Sequence, residues 1–254
     1  MSTAPPGVAF RSLERRRAFE QILHQVEQGI IDGTIQAGYR LPPEREMAAL
    51  FGVSRASVRE ALRVLEMFGV LVARRGSGPD AGSIVSDGAR TGLQSALRMH
   101  IGLFRIPTAD VVDVRSTLEA EAARLAALRF EPDDIGRLRE ILVGMRETET
   151  ATDFNELDTE FHVQLASVSH NALLPVLMEA IRGAIQHEMV KGFARLNDWK
   201  SARDRLISEH EGILRTIEKG DGEAAAQAVI DHVVGFYGNV MVDRKYRSRS
   251  RTKR

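Results

Sequence analysis

Residues 41–76, LPPEREMAALFGVSRASVREALRVLEMFGVLVARRG, constrain this chain more than any other stretch. Met47, Ala48 and Leu50 mark a short helix that stops at Phe51-Gly52, and Ala61, Leu62, Leu65 and Phe68 recur at helical spacing in a second. Gly52 can take the positive φ of a tight inter-helix turn, and Ser54 can cap the exposed N–H groups of the second helix. Two short helices around a glycine turn make a helix-turn-helix. Arg55 and Arg59 lie one turn apart near the start of the second helix, the end that meets base edges when such a helix enters a major groove. Two arginines on a short helix are, alone, compatible with a plain solvated face. The context adds weight: Val70-Leu71-Val72-Ala73 reads as a strand, Arg74-Arg75-Gly76-Ser77-Gly78 as a basic turn, and Ser83-Ile84-Val85 as a returning strand. The expected unit, residues 13–86, is a winged helix-turn-helix with a small β-hairpin wing.

The rest reads as helix. Asp87-Gly88-Ala89-Arg90-Thr91-Gly92 is polar and glycine-rich, which marks residues 87–92 as a linker. Beyond it, periodic segments cover residues 93–104, 107–129, 131 onward, 152–169, 172–193, 199–218 and 222–241 without an alternating strand pattern. The expected fold is mainly α, with residues 93–243 forming an all-α bundle of six or seven helices. Residues 1–12 and 244–254 lack the periodicity of a packed element. No apolar run is long enough to span a membrane, the N-terminus does not read as a secretory signal, and there is no cysteine. These features fit a reducing cytoplasm.

The formal net charge of zero conceals a segregation. Lys and Arg stand 12 to 10 against Asp and Glu over residues 1–90, 16 to 25 over residues 91–243, and 7 to 0 over residues 244–254. An acidic body is repelled by phosphate, so nucleic acid would meet the head through a few placed arginines. The basic tail reads as a solubilising end or as an additional contact to DNA phosphates.

A second constellation lies in the helical half. Asp158 and His162 are spaced i, i+4, so both side chains leave one helix face. His210 and His232 fall mid-helix among core-type residues on two later helices. A lone Asp/His pair is commonly a surface hydrogen bond, and an isolated histidine there is commonly a satisfied core residue. Together, one carboxylate and three imidazoles suit a divalent transition metal such as zinc or nickel, with positions left open for an oxygen ligand.

Two resemblances sharpen this reading. Leu41-Pro42-Pro43-Glu44-Arg45-Glu46, Gly52-Val53-Ser54-Arg55, Val58-Arg59-Glu60-Ala61-Leu62 and Arg74-Arg75-Gly76-Ser77-Gly78 resemble the DNA-binding domain of the GntR family of bacterial transcription regulators. The resemblance implies DNA contacts from Arg45, Ser54, Arg55, Ser57, Arg59, Arg75 and Gly76. Pro79-Asp80-Ala81-Gly82 depart from the family pattern by lengthening the wing. Val114-Arg115-Ser116-Thr117-Leu118-Glu119, Asp158-Thr159-Glu160-Phe161-His162, Glu209-His210 and Asp231-His232 resemble the FCD ligand-binding domain of the FadR subgroup. That resemblance implies metal ligation by Asp158, His162, His210 and His232, and an Arg115 that faces an effector carboxylate. The residues alone allow Arg115 instead to form an intrahelical pair with Glu119.

The expected protein is a homodimeric repressor of a palindromic operator, controlled by a small organic acid bound at the metal. Two rivals are a regulator that takes a larger acyl-type ligand without metal and a metal-dependent hydrolase. For the hydrolase, Glu160 and Glu209 are the carboxylates near enough in sequence to act as a base.

Overall fold

A computed structural model describes residues 15–74, 82–86, 91–193 and 198–240. The wing tip with Arg75 and Gly76, the N-terminal segment, residues 87–90 and the basic tail lie outside the described residues. The chain divides into two compact units, Met1–Gly92 and Leu93–Arg254.

The first unit contains α1 (Arg15–Ile31), α2 (Glu44–Phe51), α3 (Arg55–Met67), β1 (Leu71–Arg74) and β2 (Gly82–Val85). Ile22 and Val26 of α1 pack with Met47 of α2, Val58, Ala61 and Leu65 of α3, and Leu71 and Val85 of the hairpin. Each of these side chains except Ala61 contributes roughly 1.5–3 kcal/mol on full burial, and this small core orients α3. Between α2 and α3, Gly52 adopts φ 65° and its N–H donates to Ala49 O at 3.3 Å, closing the first helix as a left-handed cap. Ser54 then starts α3, its Oγ accepting from Ser57 N at 3.1 Å. The strands pair antiparallel from Leu71↔Val85 to Arg74↔Gly82. Residues 34–41 turn at Gly38 and run beside β2. Val85 N donates to Tyr39 O at 2.8 Å, and Leu41 N to Ser83 O at 3.0 Å.

The second unit is all-α: α4 (Thr91–Leu103), α5 (Thr108–Arg129), α6 (Pro132–Glu147), α7 (Ala151–Val168), α8 (Leu173–Phe193), α9 (Trp199–Glu218) and α10 (Gly222–Val240). Helix α4 begins at Thr91, inside the segment expected as linker, because Thr91-Gly92 extend the pattern of Leu93 onward by half a turn. Helix α5 is central and packs against α7, α8, α9 and α10. Its buried Ala122, Ala123, Ala126 and Ala127 let neighbours approach closely. Gly222 opens α10 where a Cβ would come within 3.1 Å of Arg124. Pro132 starts α6, Thr150 caps α7 by accepting from Asp153 N at 3.1 Å, and Asp198 caps α9 by accepting from Ser201 N at 3.1 Å. Among the described residues no helix is long and apolar enough to cross a membrane.

Nothing lies within 4 Å of a Cβ built on Gly52, so its role is conformational. Gly52→Ala should destabilise the first unit by about 1 kcal/mol, and Gly52→Asn by less. Urea unfolding followed by far-UV circular dichroism checks both.

Candidate functional site

Helix α7 places Phe154, Asp158, Phe161, His162 and Leu165 on one buried face, so its two polar members point into an apolar interior. His210 from α9 and His232 from α10 arrive at the same point. One ligand atom from each of the four residues lies within 4.8 Å of the others, and all four residues are buried. His210 Nε2 is 3.1 Å from Asp158 Oδ1 and 3.2 Å from His162 Nε2.

The second nitrogen of each ring fixes its tautomer. His210 Nδ1 donates to Leu206 O at 2.8 Å, and His232 Nδ1 donates to Glu209 Oε2 at 2.8 Å. His162 Nδ1 faces Glu119 Oε2 at 2.7 Å, without a well-aligned hydrogen bond. A carbonyl or a carboxylate only accepts, so Nδ1 keeps the proton and each Nε2 presents a lone pair inward. Burial keeps His162 uncharged, pushing its pKa down to about 3 against the opposing pull of Glu119. Burial, then the neighbouring His210, also lowers that of His232. Lone pairs of three imidazoles and a carboxylate gathered this closely repel unless a cation lies among them. The donor set fits a divalent metal ion, with carboxylate and carbonyl acceptors behind the rings as such ligands require.

A layer of buried charge backs the quartet. Asp158 Oδ2 accepts a hydrogen bond from Arg182 Nη2 of α8. Arg182 Nη1 also donates to Glu119 Oε1 at 3.3 Å, and Arg115 Nε donates to that same oxygen at 2.5 Å. Arg115 Nη1 reaches Tyr237 Oη of α10 at 2.9 Å. Burial opposes ionisation of Asp158 and Glu119. The neighbouring donors together outweigh it, Arg182 foremost at Asp158 and Arg115 foremost at Glu119, so both acids sit well below the usual carboxylate range. Burial likewise opposes the charge of Arg115, and Glu119 together with its neighbours overcomes it. The pair with Glu119 and the position facing a ligand are therefore compatible. Arg115 makes the ion pair and also lines a cavity with Asp158, Phe193, His232, Phe236 and Tyr237. That cavity has room for about one water molecule.

Arg182 and Tyr237 escape a reading of the sequence as site residues, and Glu209 enters it only as a possible hydrolytic base. A lone arginine in the apolar run VLMEAIRGAI was the available signal for Arg182. The carboxylates considered as a hydrolytic base are both engaged: Glu160 accepts from Arg137 Nη2 at 2.6 Å, and Glu209 accepts from His232.

In the first unit, Arg55 and Arg59 share the exposed face of α3, with side chains 62% and 49% accessible. Arg45 is exposed on the first turn of α2. Ser54 and Ser57 bond to each other, their hydroxyls 2.9 Å apart, and Ser57 is buried. Ser57, grouped with the DNA-facing residues from sequence, takes part in the helix cap.

Comparison with known proteins agrees with both halves. Residues 18–79 match the model of bacterial regulatory proteins of the gntR family, and residues 110–235 match the FCD domain. The chain is 27% identical over 218 residues to an Escherichia coli K12 protein named as a regulatory protein of the L-lactate dehydrogenase operon, covering 86% of this chain and 84% of that one. It is 28% identical over 222 residues to the Exu regulon transcriptional regulator of the same strain, covering 87% and 83%. A solved structure of Streptococcus agalactiae GntR superposes with a TM-score of 0.63 at 26% identity, covering 85% of this chain and 96% of that one. The winged helix and the helical bundle define a transcription regulator. The chain belongs to the GntR family and carries an FCD domain.

Removing one partner of a buried pair strands the other's charge. Arg115→Met should destabilise the second unit by about 3 kcal/mol or more. The only tryptophan, Trp199, packs edge-on against Phe154 and Phe193, so its fluorescence during urea unfolding reports the loss.

Proposed function

We propose that this regulator is a repressor that binds a palindromic operator as a homodimer and is controlled by a small organic acid. The acid would bind in the bundle beside a zinc or nickel ion held by Asp158, His162, His210 and His232. The observation that carries the reading is the convergence of one carboxylate oxygen and three inward-facing imidazole nitrogens in a buried site. When bound, the ion supplies positive charge and open positions for an oxygen ligand.

Charge balance supports an anionic effector. Arg115 and Arg182 are offset by Glu119 and Asp158, so these four charges are balanced before a dication enters. A divalent ion leaves an excess of positive charge in a low-dielectric interior, and a carboxylate relieves it. Arg115 can offer such a carboxylate a charge-assisted hydrogen bond in place of its bond to Tyr237. The cavity bounded by Phe193, Phe236 and Tyr237 holds about one water molecule and must open to admit any organic acid, and a short acid requires less opening than a long acyl chain. The name of the relative associated with the L-lactate dehydrogenase operon points the same way, toward short hydroxy acids. An effector that prefers one conformation shifts the DNA-binding population in proportion to that preference. In the first unit Arg45, Ser54, Arg55 and Arg59 would contact the operator, with Arg75 and Gly76 reaching it from the wing.

Protein purified without chelator should carry about one divalent ion per chain. Asp158→Ala and His210→Ala should each lose it. Elemental analysis decides this, and fully folded wild-type protein that holds no metal would sink the site. Arg59→Ala should weaken operator binding by about 1–3 kcal/mol with the fold intact. Fluorescence anisotropy with a labelled operator measures that loss.

A further inference from the structure

Glu44 is a carboxylate on the surface expected to face DNA, where its charge works against phosphate binding. Its side chain is only 31% accessible because it is engaged with α3. Arg59 Nε donates to Glu44 Oε1 at 3.1 Å, and Arg59 Nη2 donates to Oε2 at 2.7 Å. Arg55 Nη2 stands 3.9 Å from the same Oε2. Glu44 lies in the first turn of α2, where the helix end favours a negative charge. The pair spans 15 residues and crosses from one helix of the helix-turn-helix to the other.

The side of the guanidinium in use is the informative detail. A guanidinium has five N–H donors in a fixed plane. Glu44 takes the side formed by Nε and Nη2, which leaves the end formed by Nη1 and the second Nη2 hydrogen. That end is a parallel two-donor fork, the shape that matches O6 and N7 of guanine in the major groove. An arginine on a half-exposed helix surface otherwise samples many rotamers, and the bidentate contact removes most of them.

We propose that Glu44 is a positioning residue that fixes Arg59 to read a guanine in each half-site, lowering general affinity for DNA while raising selectivity. The proposal rests on the DNA-contacting role given to Arg59 above.

The test uses the full chain and the duplex that wild-type protein selects from a random pool. Each G·C pair of that duplex is replaced in turn by A·T, and a scrambled duplex serves as the non-specific reference. Wild type, Glu44→Gln, Arg59→Ala and the double variant are titrated against this set. Glu44→Gln should reduce the preference for one G·C pair per half-site by about tenfold while binding the scrambled duplex as well as wild type or better. It should cause no further loss in the Arg59→Ala background. If Glu44→Gln raises affinity for all duplexes by one common factor, Glu44 is only a repulsive charge and the proposal fails. Additive losses in the double variant also overturn it. Arg59→Ala binding the selected duplex as tightly as wild type would instead remove the role of Arg59 itself.

Discussion

Arg115, Arg182, Glu119 and Asp158 are buried together where α5, α7 and α8 meet, and the bundle depends on their mutual neutralisation. No one of these charges could be buried alone without a penalty of several kcal/mol. Arg115 and Glu119 share α5, but Arg182 of α8 joins Glu119 to Asp158 of α7, so these three helices are held at one rotation and one height. A one-residue slip of α8 would withdraw Arg182 from both acids at once. The same constraint sets the inner quartet, because Glu119 on α5 faces the ring of His162 and Arg182 holds the outer oxygen of Asp158. Geometry at the centre is inherited from ion pairing around it.

The two units use one device in opposite surroundings. In each, a carboxylate fixes an arginine: Glu119 with Arg115 in the interior, Glu44 with Arg59 on the surface. The interior pair is unscreened and tied to the stability of the unit. The surface pair is screened by water and salt, and contributes little to stability. What the surface pair restricts is where a guanidinium points.

The architecture could be read from the sequence because its signals are local. Gly52 and Ser54 mark the helix-turn-helix, and Asp158 and His162 declare a shared face through their i, i+4 spacing. His210 and His232 could be singled out because histidine is conspicuous in the apolar surroundings of α9 and α10. The connections between helices were not accessible in the same way. Glu119 serves Arg115 four residues away and Arg182 sixty-three residues away, and only the packing of α5 on α8 chooses the second. Tyr237 joins Arg115 across 122 residues for the same reason. Ser57 resembles a free hydroxyl in sequence, yet the start of α3 turns it inward against Ser54. The early start of α4 at Thr91 was hidden by the glycine beside it, which weakens a helical pattern without forbidding it.

The cavity wall has two kinds of residue, and they differ in how freely they can vary. Arg115, Asp158 and His232 each hold partners elsewhere in the bundle, so a change at any of them disturbs helices beyond the cavity. Leu206 and Val233 present only apolar surface to it, whereas the Met189 sulfur also accepts from Arg115 Nη1 at 3.7 Å. Exchanges among aliphatic side chains of similar size at Leu206 and Val233 leave the charges untouched and typically cost less than about 1.5 kcal/mol. The lineage of such a protein can therefore re-tailor the cavity to a slightly different molecule by a few conservative steps, while the polar half of the wall and the DNA-reading surface stay as they are.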